Sequence, residues 1–486
     1  MYWTPSPLRP DTRRMQIESC AAGAAAAQAA SLRPPAPALA LPARLGPILC
    51  LDDFEEAARR HLPGPVFAYI SGAVERNHSL QANRASYAQY EFVTRVLVDI
   101  SRRSTAAPLL GRRYAAPFGV APMGISALSA YRGDLVLARA AAAENVPMIM
   151  SGSSLIRMED VARANPDAWF QAYLPGDEAN IVALVERVQA AGFRTLVITV
   201  DTPVTSNREN NVRAGFSTPL RPGLRLAWDG LSHPRWLFGT FLKTIALHGM
   251  PHFENNYAHR GAPILSPSVV RDLSERGHLN WEHLRTIRRM WPGQMVVKGI
   301  LDARDARIAV DHGADGIIVS NHGGRQLDGA AAPLRVLPRV VAACPDVPVM
   351  IDSGIRRGSD VLKALALGAR FVFVGRPFNY AAAVAGEAGV RHGMDLLRQE
   401  ISRNMGMLGV NALSELDSTF LLKALALGAK FVFIGRPFNY AASVAGEPGV
   451  RKAITLLREE VSRNMAMLGV NTLAELDASY LVKAGG

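Results

Sequence analysis

The segment Ser320-Asn321-His322-Gly323-Gly324-Arg325-Gln326-Leu327-Asp328 is the most informative stretch of the chain. Histidine titrates near neutral pH, so His322 can act as a general base, and a nearby carboxylate would orient it and support its charge. The adjoining glycines allow a ligand close to the backbone. Arg325 adds a planar fork that grips a carboxylate at two points. A second segment, Thr199-Val200-Asp201-Thr202-Pro203 followed by Arg208, offers that carboxylate and another guanidinium. The blander alternatives are a structural histidine beside an unrelated arginine, and an aspartate that caps a helix. Lys298, at the end of VVKG, can hold negative charge on an electron-accepting ring; as a surface ion pair it would contribute little. Asp352-Ser353-Gly354-Ile355-Arg356 and Gly375-Arg376 offer backbone N–H groups, arginine and a helix N-terminus to a phosphate.

These residues need a scaffold that brings them to one place. Eight short apolar or β-branched runs alternate with longer helical patterns: Phe118 to Ala121, Pro147 to Ser151, Trp169 to Tyr173, Thr195 to Val200, Met295 to Lys298, Gly316 to Ser320, Pro348 to Asp352 and Phe371 to Val374. Unbroken apolar runs suit strands buried on both faces, and the alternation predicts parallel βαβ units. Eight of them predict an α/β fold of the TIM (β/α)8 barrel type, in which chemistry sits at the strand C-terminal ends. Polar residues follow nearly every run. Gln171 and Tyr173 end the third, Asp201 the fourth, Lys298 the fifth, Asn321 and His322 the sixth, Asp352 the seventh and Arg376 the eighth.

Two features depart from a plain barrel. A long insertion, roughly Phe216 to Leu279, follows the fourth strand, and loops of that length are usually functional or disordered. Within it Trp236, Phe238, Phe241, Leu242 and Ile245 fall at near-helical spacing beside Arg235 and Lys243, the composition of a membrane-interface helix or of a lid packed on the barrel. The second feature is an internal repeat: LKALALGARFVFVGRPFNYAA from Leu362 recurs from Leu422 as LKALALGAKFVFIGRPFNYAA. A barrel can use only one copy as its eighth strand, and the short connection from strand seven favours the first. The expected organisation is an Ala/Pro-rich disordered extension over 1–45, a barrel domain over 46–421, and a tandem repeat of the last αβα unit over 422–486.

Composition narrows the classes further. The 486 residues are 49% hydrophobic and 20% charged, ordinary for a globular enzyme. The formal net charge of +12 comes from scattered arginines, with no basic block interleaved with aromatics, so no nucleic-acid partner is expected. Three cysteines far apart in sequence form no C-x-x-C pair, which argues against a zinc knuckle or a disulfide framework and for a reducing cytoplasm. No stretch approaches the ~20 apolar residues of a spanning helix.

SNHGGRQLD, TVDTP, VVKG, IDSGIRRG and ALGARFVFVGRP together resemble the FMN-dependent 2-hydroxy acid oxidases and dehydrogenases, the group of glycolate oxidase, L-lactate dehydrogenase and mandelate dehydrogenase. The similarity runs from about Ile48 to Leu421 and again through the repeat. It implies FMN as cofactor and a small L-2-hydroxy acid as substrate, lactate-like or mandelate-like. His322 would be the base, taking either the C2 proton or the hydroxyl proton, and Asp201 would stabilise the imidazolium. Arg208 and Arg325 would clamp the substrate carboxylate, with Tyr69 and Tyr173 contacting the substrate. Lys298 would stabilise the reduced ring. Pro122, Met123, Gly124, Ser151, Gln171, Thr199 and Ser320 would contact the flavin, while Asp352, Gly354, Arg356, Gly375 and Arg376 would hold ribityl and phosphate.

Two positions tilt the expectation within the group. Oxidases tend to carry alanine where APMG has Gly124, and the insertion is similar to the membrane-docking segment of bacterial lactate and mandelate dehydrogenases. Both point to an enzyme peripheral on the inner, cytoplasmic face of the cell membrane through the segment around Trp236, that passes electrons to a quinone; a homo-oligomer is implied by the resemblance alone. Ser153, where glycolate oxidase has a tryptophan, leaves room for a substrate side chain. The alternatives are an oxygen-using oxidase and a flavin-binding barrel inactivated by the duplication. An inosinate-type dehydrogenase would need a loop cysteine at the catalytic rim, whereas Cys344 lies before strand seven.

Overall fold

The eight apolar runs become eight parallel strands in the computed structural model, which describes residues 41–216, 223–266, 276–423 and 436–468. They are β1 (Phe118–Val120), β2 (Ile149–Ser151), β3 (Trp169–Ala172), β4 (Thr195–Thr199), β5 (Gln294–Ile300), β6 (Gly316–Val319), β7 (Val349–Asp352) and β8 (Phe371–Val374). From β2 to β8 each pairs with its neighbour in chain order, and β8 pairs back onto β1 through Val372 with Phe118 and Val374 with Val120. A parallel bridge between Val120 and Met148 then joins β1 to the segment entering β2, which closes the (β/α)8 barrel.

Strand residues alternate between two buried environments, because successive side chains point to opposite faces. Ile149, Trp169, Val197, Val296, Ile318, Met350, Phe371 and Phe373 fill the barrel interior. Val120, Met150, Phe170, Ile198, Val297, Ile317, Ile351 and Val372 pack outward under the helices. Each large apolar side chain buried this way contributes about 1.5–3 kcal/mol.

One barrel end is closed by an element the sequence reading did not find. Ala107–Leu109 and Arg112–Tyr114 pair as an antiparallel hairpin across Leu110 and Gly111, whose φ values of 46° and 76° are those of a two-residue type I′ turn. Ala107, Leu109 and Tyr114 join the interior cluster, and the Tyr114 ring meets Phe371 edge-on at 5.7 Å. Ile149, Trp169 and Phe371, in the same cluster, open their strands. The hairpin therefore plugs the N-terminal end and leaves the C-terminal rim for chemistry.

Two expectations need adjustment. Ordered structure starts before Gly46, because Ala43–Leu45 forms a helical turn with Leu45 fully buried in the core; the extension up to residue 40 lies outside the described residues. In the insertion, Leu224–Leu231, Pro234–Trp236, the π-helical turn Leu237–Leu242 and Lys243–His248 follow one another. Trp236, expected at the centre of an outward membrane contact, points inward instead: it is buried, donates from Nε1 to Leu128 O at 2.7 Å and stacks on Phe241 at 5.5 Å. The apolar residues that do face out are Trp228, Leu231, Phe238, Leu242 and Leu247. No helix among the described residues is long and apolar enough to cross a membrane.

The chain divides into two compact units, 1–421 and 422–486. In the first, the first copy of the repeat supplies β8 and the helix Arg376–Leu408, broken at Ala385 and Gly386. In the second, the helix Arg436–Leu468 repeats that break at Ala445 and Gly446. Tyr440, Val444, Ile454, Leu457 and Val461 are exposed, although their counterparts Tyr380, Val384, Met394, Leu397 and Ile401 are buried. Residues 424–435, which hold the second copy of the strand, lie outside the described residues.

Candidate active site

Every barrel strand delivers at least one residue to the wall of a single cavity of about 710 Å³, within the ~300–1,000 Å³ usual for small-molecule sites. Pro122, Met123 and Gly124 follow β1, Ser153 follows β2, Tyr173 follows β3 and Thr199 ends β4. Lys298 comes from β5, His322 and Arg325 follow β6, Asp352 ends β7 with Gly354 and Arg356 beyond it, and Gly375 and Arg376 follow β8. Tyr69 and Arg208 complete the set. Asp201, Ser151, Gln171 and Ser320 are not part of the wall; the last three are fully buried.

His322 and Asp201 meet as a pair. His322 Nδ1 lies 2.9 Å from Asp201 Oδ1, and Nε2 lies 3.3 Å from the Tyr173 hydroxyl. Burial pushes the His322 pKa down, Lys298 and Arg208 push it further, and Asp201 only partly offsets them, so the imidazole rests neutral. Burial alone would raise Asp201, but His322 and Lys298 outweigh it and hold the carboxyl below its ordinary value, hence ionised. An ionised acceptor fixes the proton on Nδ1, which leaves the Nε2 lone pair toward Tyr173 and the cavity. His322 sits at φ 58° and Ser353 at φ 81°, left-handed conformations uncommon outside glycine and typical of functional strain. Gly323, at φ 67°, holds a backbone conformation that favours glycine, and a Cβ on it would lie 2.8 Å from Arg376 Nη1.

The arginines are held by backbone that no side-chain pattern announces. The helix Gly64–Ser71 ends at the site, and its last carbonyls are the orphan acceptors of any helix C-terminus. Arg325 Nη1 donates to Tyr69 O at 2.8 Å and Gly72 O at 2.9 Å, while Arg376 donates from Nε to Ile70 O at 2.9 Å and from Nη2 to Gly72 O at 3.0 Å. Arg208 is held by Ser206 Oγ at 3.0 Å and Gln326 Oε1 at 2.8 Å. Burial, with Arg208 and Arg376 nearby, lowers the Arg325 pKa to about 9; burial lowers Arg376 to about 10. Both remain cationic at neutral pH.

Lys298 Nζ contacts Ser320 Oγ at 2.9 Å and Asp352 Oδ2 at 3.1 Å. Burial would lower its pKa, yet Asp352 and Asp201 outweigh it and raise it. A fixed positive charge is thus buried at the cavity wall. The Gln171 side chain accepts from Ser151 Oγ at 3.2 Å and leaves its Nε2 donor buried without a partner among the described residues, a group that costs free energy unless something accepts from it. A flat heteroaromatic ring with a phosphate tail would meet the Lys298 charge and the arginines at the β7 and β8 ends, with the unpartnered Gln171 donor just behind the wall, so FMN fits these residues.

The model of the FMN-dependent dehydrogenase family matches residues 58–422 and again 419–483. The chain belongs to the FMN-dependent dehydrogenase family. L-lactate dehydrogenase of Ectopseudomonas mendocina (strain ymp) is 40% identical over 376 residues, covering 76% of this chain and 98% of that protein. (S)-mandelate dehydrogenase of Pseudomonas putida is 37% identical over 372 residues, 76% of this chain and 93% of the relative. Among solved structures, a monotopic membrane protein, (S)-mandelate dehydrogenase, superposes with a TM-score of 0.71 at 36% identity, covering 78% of this chain and all of that one.

Sequence reasoning brought together the residues that wall the cavity and those just behind it, but it missed four positions. Gln326 holds Arg208 and also donates to Asp201 O at 3.2 Å. Ser353 accepts from Gly323 N at 3.1 Å and donates to Asp352 Oδ1 at 2.8 Å. Asn379 and Arg276 also line the cavity. Ser353 and Gln326 stand inside motifs already singled out, so adjacency was an available signal; Arg276 lies in the insertion and carried none.

Proposed function

We propose that the protein oxidises a small L-2-hydroxy acid, of the lactate or mandelate kind, to the 2-oxo acid with FMN as cofactor. One observation carries this reading: His322, paired with Asp201 at 2.9 Å, opens onto the same cavity as Arg208 and Arg325, neither of which has an acidic partner among the described residues. Arg208 and Arg325 take the substrate carboxylate, and the Tyr69 and Tyr173 hydroxyls orient the oxygen on C2. His322 Nε2 accepts the proton, from C2 or from the hydroxyl, and Asp201 stabilises the resulting imidazolium. When bound, FMN supplies the acceptor for two electrons. Lys298 holds positive charge beside the ring, whose surroundings are Pro122, Met123, Gly124, Thr199, Ser151, Gln171 and Ser320. Asp352, Gly354, Arg356, Gly375 and Arg376 hold ribityl and phosphate.

The acceptor is a quinone or another respiratory carrier, and the protein works as a homo-oligomer on the inner face of the cell membrane. Support comes from the insertion, where exposed Trp228, Leu231, Phe238, Leu242 and Leu247 accompany Arg235 and Lys243, the mix of apolar and basic groups that suits a lipid interface. A turnover assay with both enantiomers of lactate and mandelate tests the reading. The L forms are expected to reduce a dye or quinone analogue much faster than oxygen; equal rates with D forms, or no dye reduction, would refute it.

Three variants test the site assignment. Arg376→Ala is expected to weaken FMN binding by roughly 30-fold or more, the cost of removing one partner of a buried charge-assisted contact. Arg436, its exposed counterpart, should tolerate alanine with full flavin content. Equal flavin-to-protein ratios in the two variants would contradict the role of the first copy. In Gly124→Ala the added Cβ would lie 3.2 Å from Ser153 Cβ and 3.4 Å from the Tyr69 hydroxyl. Overpacking of this kind costs ~1–3 kcal/mol, so KM should rise about tenfold, more for mandelate than for lactate. An unchanged KM for both would show that substrate does not reach this wall.

A further inference from the structure

Arg276 is a cation of the cavity wall for which the reaction, as described, provides no anion. The guanidinium is 7% exposed and lines the cavity. Its Nε donates to Leu174 O at 3.1 Å, and its central carbon lies 5.0 Å from the centre of the Tyr173 ring. That accounts for one of five N–H groups. No carboxylate among the described residues is within ion-pair distance of it. Burial lowers its pKa, with only Tyr173 and Tyr257 opposing.

Four other basic groups of the wall have acidic partners. Lys298 faces Asp352 at 3.1 Å, His322 faces Asp201 at 2.9 Å, Arg213 faces Glu209 at 2.7 Å and Arg356 faces Asp52 at 3.4 Å. Arg208 and Arg325 are reserved for the carboxylate next to C2, and Arg376 for phosphate. A buried guanidinium left over is costly unless something negative joins it. Its position narrows what that is, because the Tyr173 ring it covers carries the hydroxyl 3.3 Å from His322 Nε2. Arg276 thus stands one aromatic ring away from the base, on the substrate side of the cavity.

We propose that Arg276 binds a second acidic group, on the side chain of the substrate, and that the preferred substrates are L-2-hydroxy dicarboxylates. This rests on the reading of the cavity as a 2-hydroxy acid site. The C2 carboxylate lies on Arg208 and Arg325, the distal carboxylate on Arg276, and His322 acts between them. A buried site built to pair an anion discriminates strongly against analogues that lack it, since the guanidinium is then left bare.

The test compares kcat/KM of the FMN-loaded full chain for L-malate and L-2-hydroxyglutarate with that for L-lactate and L-mandelate, in wild type, Arg276→Gln and Arg276→Lys. Wild type should prefer at least one diacid by roughly 30-fold or more. That ratio should collapse toward one in Arg276→Gln and stay intermediate in Arg276→Lys. Perturbation of the flavin spectrum by 2-oxoglutarate and by pyruvate supplies a binding readout independent of turnover, in which only the diacid should weaken in Arg276→Gln. A wild-type preference for monoacids, or an Arg276→Gln defect equal for both classes, would overturn the proposal and leave Arg276 as a support for Tyr173. Bleaching of the flavin by no 2-hydroxy acid of either class would overturn the underlying reading as well.

Discussion

His322→Ala is expected to retain FMN and to lose turnover by about 10³-fold, within the ~10²–10⁴ that a positioned general base contributes. The imidazole is assigned to proton removal, and no cofactor contact depends on it. Its pH signature follows from its surroundings. Burial and the nearby cations lower the His322 pKa below 6.5, so the base is already deprotonated at neutral pH. kcat/KM should therefore rise with pH along a limb centred below 6.5 and be level above it. In Asp201→Asn the limb should move lower still, because Asp201 is the group that raises the pKa, while kcat falls for want of a partner for the imidazolium. Near-normal kcat in His322→Ala, or a limb well above 6.5 in wild type, would remove His322 from the reaction.

Arg325→Met should raise KM and lower kcat together, with kcat/KM down roughly 10²- to 10³-fold, since truncating one partner of a buried charge pair costs ~2–5 kcal/mol. The fold should survive, because Arg376 still donates to the Ile70 and Gly72 carbonyls that Arg325 Nη1 contacts. Arg325→Lys should recover only part of the loss, as an ammonium cannot reproduce the fork. Steady-state kinetics, with flavin content measured alongside, checks this. A change within threefold at full flavin occupancy would mean that the substrate carboxylate binds elsewhere.

The strands and the chemistry at their ends were legible because they depend on local signals. Phe371–Val374 or Gly316–Val319 read as buried parallel strands from four apolar residues in a row, and His322, Asp201 and Lys298 sit next to strand ends that such runs locate. What depended on backbone or on distant packing was not legible. The carbonyls of Tyr69, Ile70 and Gly72 hold Arg325 and Arg376, yet a carbonyl has no sequence identity. The hairpin around Leu110 and Gly111 has strands of three residues, too short to show alternation. Trp236 has the spacing of an exposed interface residue and is drawn inward by a bond to Leu128 O and a stack on Phe241 that periodicity cannot foresee. Arg276 lies in the insertion, where no repeating pattern marks which side chains turn toward the site.

The convergence of one imidazole and two guanidiniums on one small acid is tested most directly by a crystal structure of the FMN-loaded protein with a 2-oxo acid product bound. The expected arrangement has the product carboxylate between Arg208 and Arg325 and its 2-oxo oxygen within hydrogen-bond reach of Tyr173 and His322 Nε2. A product bound away from these side chains, or a ring that fills the space between them, would contradict it.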